Sequence, residues 1–112
     1  MIVDVRIYTC LPNKMPAFVK LYEEKAWPLQ LKYLENCLGW YTTVEGELNT
    51  VVHIWGYKDQ ADREARRNAM AADPAWGEYL KAAAEGGMLV KMENRMTRPT
   101  GFFTAFQAAK KG

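Results

Sequence analysis

The strongest constraint on this chain is the order in which its periodicities follow one another. Ile2 to Leu11 alternates by two, with Val3, Val5 and Ile7 on one side and Asp4, Arg6 and Tyr8 on the other, which is a strand with two unlike faces. Met15, Phe18, Val19, Tyr22 and Ala26 then recur at three- and four-residue steps, as on an amphipathic helix, with Asn13 placed to cap its start. Pro28 has no amide proton to give, so PLQLKYL is expected to continue as a bent or separate turn. Gly39 to Val44 and Thr50 to Tyr57 are rich in β-branched and aromatic residues and flank the polar break EGELN, a hairpin pattern.

Asp59 caps a second helix, QADREARRNAMAA. Its alanine side (Ala61, Ala65, Ala69, with Met70) is expected to lie on the sheet, and DREARR to face solvent. Asp73 and Pro74 restart it as cap and first residue, the stripe Trp76, Tyr79, Leu80 and Ala83 follows, and Gly86 or Gly87 ends it. Leu89 to Thr97 is a fourth strand closed by Pro99. The order βαββαβ over residues 1–100 predicts one α+β domain of the ferredoxin-like kind: a four-stranded antiparallel sheet with both helices on one face. Residues 101–112 form a C-terminal tail, whose Phe102, Phe103 and Phe106 are expected to dock on their own domain or on a partner.

Composition narrows the function classes. Fifteen Lys and Arg against thirteen Asp and Glu give a formal charge of +2, with the signs interspersed, so no nucleic-acid footprint is present. No basic leader with an apolar run opens the chain and no segment approaches a membrane span, which predicts a cytoplasmic protein without a membrane partner. Cys10 and Cys37 are expected to be reduced, and one histidine with two cysteines makes no metal motif. Neither a metal nor a cofactor is expected, and no nucleophile elbow or phosphate loop occurs.

The blocks VDVRIYTCLPNKMPAFVKLYEE, LGWYTTVEGELNTVVHIWGYKDQADREARRNAM, DPAWGEYL and ENRMTRPTGF resemble the NIPSNAP family, of the dimeric α+β barrel group, from residue 2 to about 103. The resemblance implies the ferredoxin-like fold and a homodimer formed through the sheet, while the family has no settled biochemical activity. Its animal members are loosely linked to vesicle traffic and mitochondria, a biology not expected to transfer to a chain without their targeting segment. Other families on this barrel include cofactor-independent monooxygenases, haem-degrading enzymes and small isomerases, an analogy of fold alone.

If Val3, Val5 and Ile7 face the helices, then Asp4, Arg6, Tyr8, His53, Trp55 and Tyr57 line the uncovered face, with Glu93 and Arg95 added from strand four. That face is read either as an ion-pair network beneath a dimer interface or as a pocket for a small aromatic or acidic molecule, bound by Tyr8, Trp55, Tyr57 and Arg95. In an enzyme of the oxygenase or isomerase kind His53 would be the base and Arg6 would stabilise an enolate or carboxylate. A structural or adaptor dimer without a pocket is the third class. Strands one and three are taken as parallel neighbours, about 5 Å apart, so that Arg6 and burial together keep His53 neutral at pH 7.

Overall fold

The computed structural model describes residues 1–111. Strand β1 (Ile2–Cys10) leads into helix α1 (Met15–Leu21), a π-helical turn at Tyr22–Ala26 and helix α2 (Trp27–Tyr33). Strands β2 (Cys37–Thr42) and β3 (Thr50–Tyr57) follow, then helices α3 (Gln60–Ala72) and α4 (Pro74–Gly86), strand β4 (Leu89–Thr97) and helix α5 (Gly101–Lys111). The sheet order is β2-β3-β1-β4. Every neighbouring pair is antiparallel, including the central one, where Arg6 sits opposite His53. The expected parallel pairing of strands one and three is therefore wrong. The helical crossover returns β2 in the direction of β1, and the hairpin then reverses β3 beside it.

Local chemistry explains most element ends. The Asp59 carboxylate accepts from the Asp62 amide at 2.8 Å and starts α3. Asp73 accepts from Ala75 at 2.9 Å with Pro74 beside it, starting α4, and Gly87 at φ 55° closes that helix in the left-handed region. Asn13 is not a cap; it turns the chain at φ 69°, which asparagine tolerates, and α1 begins without a side-chain cap. In a regular helix the ring of Pro28 would strike the carbonyl four residues back. The chain widens there instead, and the Trp27 amide bonds to the Tyr22 carbonyl five residues back.

The sheet faces are the reverse of the expected ones. Tyr8, Cys10 and Val51 pack with Phe18, Tyr22 and Tyr79 under the helices, and Trp55 and Tyr57 pack with Leu34 and Met70. Asp4 and His53, on the same face, are fully buried. Val3, Val5, Ile7, Val52 and Ile54 occupy the other face and are only half-buried. Helix α3 is reversed in the same sense: Ala61, Ala65 and Ala69 are exposed, whereas Arg63, Arg66 and Arg67 turn inward beside Met70. Size decides this, because burying aromatic rings removes more surface from water than burying valines, and the inward arginines meet a carboxylate.

The expected tail is an ordered helix. Phe102 is 81% exposed and Phe106 59%, so it does not dock on its own domain. Arg98 to Thr100, with Pro99 among them, lead it off the edge strand β4.

Candidate functional site

Asp4 is the anchor of the buried polar chemistry. Its carboxylate accepts from Arg6 Nη1 at 3.2 Å, Arg63 Nε at 3.1 Å and the Asn94 amide at 3.0 Å. Burial alone would raise its pKa, but the Asn94 hydrogen bond and the two guanidinium charges outweigh burial and lower it. Arg6 also donates from Nε to the Tyr8 hydroxyl at 3.1 Å, so both edges of its fork are engaged. Burial disfavours its charge, but Tyr8 and Asp4 more than compensate and raise its pKa. The cluster is an ion network centred on Asp4, in which Arg6 is held through Nε and Nη1.

His53 lies beside it in a cage of rings. Trp40 stacks on the imidazole with centroids 5.0 Å apart and planes 19° apart, while Tyr8 and Tyr22 meet it edge-on at 4.7 and 5.6 Å. Trp55 Nε1 donates to His53 Nδ1 at 2.8 Å. Burial first, and then the Arg6 charge, push the imidazole pKa down to about 3, so it is neutral at pH 7, as expected. A neutral imidazole that accepts at Nδ1 must carry its proton on Nε2. His53 is therefore a donor, and the base role has no free lone pair. That Nε2–H has no acceptor, and the buried indole Nε1–H of Trp40, stacked on it, makes no well-formed hydrogen bond, the Tyr22 hydroxyl oxygen alone being within its reach. An unpaired buried donor costs about 1–3 kcal/mol, so His53 Nε2–H is an unmet demand for an oxygen atom and Trp40 Nε1–H a poorly met one.

An open cleft of about 130 Å³ is lined by Val19, Tyr22, Glu23, Trp27 and Trp40, and of the pair only Trp40, which stacks on the fully buried His53, borders it. The wide turn builds it. One extra residue in the turn brings Trp27 into register over Tyr22 instead of carrying it round the helix. The Tyr22 hydroxyl is withdrawn into the core by a hydrogen bond to Gln30 Oε1, and burial raises its pKa.

The residues expected to act together are divided. Arg6, Tyr8, His53 and Trp55 share the helix-covered face and touch one another. Tyr57 shares that face but lines a separate hollow of about 250 Å³ with Leu34, Lys58 and Arg66. Its buried hydroxyl makes no hydrogen bond, although Arg67 is near enough to oppose the rise in pKa that burial causes. Arg95 pairs with Val5 and Glu93 with Ile7, so both lie on the uncovered face, away from His53; strand four contributes Asn94 instead. Trp40, Arg63 and Asn94 were missed. The spacing Arg63, Arg66, Arg67, Met70 is itself a helix-face pattern that marked the inward side.

A four-stranded antiparallel sheet with its helices on one face and a buried polar cluster beneath them defines a ferredoxin-like α+β domain. The chain belongs to the NIPSNAP family, whose family model matches residues 3–104. It is 36% identical over 77 residues to the human (Homo sapiens) protein NipSnap homolog 3A, a match covering 69% of this chain and 31% of that protein. The chain thus spans about a third of the length of such curated relatives. Among solved structures, an uncharacterized NIPSNAP-like domain protein from Burkholderia xenovorans is 38% identical with a TM-score of 0.83, covering 90% of this chain and 86% of that one. An antibiotic biosynthesis monooxygenase shares the fold at a TM-score of 0.60 and 15% identity, over 89% of this chain and 99% of its own. Among the described residues, no helix is long and apolar enough to cross a membrane.

Proposed function

We propose that this NIPSNAP domain binds a small molecule in the cleft between the wide helical turn and the sheet, through an oxygen atom that accepts hydrogen bonds from His53 Nε2 and Trp40 Nε1. The observation that carries this reading is the buried His53 Nε2–H without an acceptor, stacked behind Trp40, itself a poorly paired donor that lines an aromatic cleft. Of the two ligand classes the sequence suggests, it favours the flat aromatic one with a carbonyl or phenol oxygen, because the cleft is lined by aromatic rings and a carboxylate and by no cation that would greet an acid. The site needs a side-chain swing of Trp40 or Tyr22 to admit such a ligand. Titration of nitrogen-15-labelled protein with phenols, quinones and lactones should move the His53 Nε2 and Trp40 Nε1 resonances together. If no compound moves either, and mass spectrometry finds nothing retained by the purified protein, the reading fails.

Likeness of fold to a monooxygenase supports a second reading, a cofactor-independent oxygenase or isomerase. In it His53 would stabilise a developing oxyanion as donor, and turnover in the same panel separates enzyme from binder. The domain would work as a cytoplasmic homodimer, a setting that two free thiols fit. The half-exposed Val3, Val5, Ile7, Val52 and Ile54 would meet their counterparts in a second copy. The sheet offers on the order of 400 Å² in projection and a stable interface needs about 800 Å² per partner, so the phenylalanines of α5 would add the remainder. A monodisperse monomer in sedimentation at micromolar concentration would refute the dimer.

A further inference from the structure

The lining of the cleft has a composition of its own. Two tryptophans, one tyrosine and a carboxylate surround about 130 Å³ of space, close in size to cavities that take up a benzene-sized group. Tyr22 and Trp40 stand 4.8 Å apart at 58°, a wedge and not a stack, and Trp27 adds a third aromatic side chain to the lining. The Tyr22 hydroxyl is turned away to Gln30, which leaves that residue's ring as what it offers. Aromatic rings carry negative charge on their faces and attract cations, tryptophan most strongly. Glu23 lies at the same mouth, exposed, and forms no ion pair among the described residues, although Lys20 and Lys25 are near it in sequence. A carboxylate left without a cation beside three aromatic side chains matches an organic ammonium group. It repels an acid.

We infer that the mouth of this cleft, formed by Tyr22, Trp27, Trp40 and Glu23, selects an alkylated ammonium group, so that the ligand carries a cation at its outer end and an accepting oxygen at its inner end. This rests on the reading of the cleft as a binding site and adds the class of ligand. Size supports it, since a trimethylammonium head has fewer heavy atoms than benzene plus a hydroxyl and fits the hollow at the mouth; the swing of Trp40 or Tyr22 is needed only for the oxygen at the inner end. A primary ammonium would be held less well, because it is more strongly hydrated and has fewer methyl contacts to give the rings.

The test compares choline with 3,3-dimethylbutan-1-ol, which has the same shape with carbon in place of the charged nitrogen. Binding is followed through the indole N–H resonances of Trp27 and Trp40. Choline is expected to shift both with saturation, and to bind about tenfold more tightly than the alcohol, the scale of a cation–π preference at a partly exposed site. Glu23→Gln, a change at an exposed position, should weaken choline several-fold and leave the alcohol unchanged. Equal affinity of the two probes, or an equal effect of Glu23→Gln on both, overturns the cation preference while the cleft itself stands as a site. Choline moving neither indole, while phenols or quinones move Trp40 and His53, overturns it in the same way. If no probe of either kind moves these resonances, both the cation preference and the site are overturned.

Discussion

The two faces of the sheet solve opposite problems. Beneath the helices, a carboxylate, two arginines and a histidine are brought out of water with six large aromatic side chains, and each of those charges has a partner. On the far face the two central strands present aliphatic residues, the edge strand β4 adds Arg95 and Glu93, and no helix covers them. Burial here follows the amount of surface that can be covered and the number of polar partners available, and hydrophobicity residue by residue is a poor guide to it. A polar side chain with three hydrogen bonds can be an inside residue; a valine without a neighbour is an outside one.

Asp4→Ala should produce the largest difference between the faces. It leaves Arg6 and Arg63 adjacent without their shared anion, an expected loss of about 3–5 kcal/mol in urea unfolding. Val5→Ala, on the opposite side of β1, should cost the isolated domain about 1 kcal/mol; equal losses would break the contrast. Next comes pH. His53 titrates near 6.5 when unfolded and at about 3 when folded, so the unfolded chain takes up the proton first. Its contribution is complete above pH 6.5 and is lost as pH falls toward 3, on the order of a few kcal/mol. Asp4, with its folded pKa lowered, adds a further loss only below about pH 3.8. Melting temperatures should decline from pH 6.5 downward, and His53→Gln should flatten the upper part of that decline.

Ile54→Lys tests the other face. It should weaken a dimer by about a hundredfold, near 2.7 kcal/mol, in sedimentation, with the circular dichroism of the monomer unchanged. An unaltered association constant would mean that this face is not the contact. The smallest effect is expected from Arg95→Ala, within about 0.5 kcal/mol of the parent in stability, whereas Arg63→Ala should exceed that because it withdraws a donor from buried Asp4.

Much of the fold was legible because it depends on local signals. Thr50–Tyr57, the caps Asp59 and Asp73 with Pro74, and Gly87 fell where turn and cap chemistry put them. The candidate site was legible in membership and not in placement. Alternation divides Arg6, Tyr8, His53 and Trp55 from Val3 and Val5 but does not say which group the helices cover, and Arg95 went to the wrong group because its parity depends on a register set by Val5 across the strand gap. Trp40 escaped notice because a tryptophan on a strand reads as core; only the stack on His53 and the poorly paired indole donor give it a role.

The wide turn left a trace in the sequence. Phe18, Tyr22, Ala26, Gln30 and Leu34 are all buried and stand four residues apart throughout. On an ideal helix each such step overshoots a full turn by about 40°, and after four of them the stripe would have precessed to nearly the opposite side. The extra residue at Tyr22–Ala26 winds back about 100° of that drift, a phase correction that lets two helical segments of one rhythm keep facing one sheet. Phase errors of this kind do not heal: inserting a further residue there, with no second wide turn to absorb it, would leave α1 seated and turn Gln30 and Leu34 about 100° out of the core, so the length of this segment is as much a part of the fold as its composition.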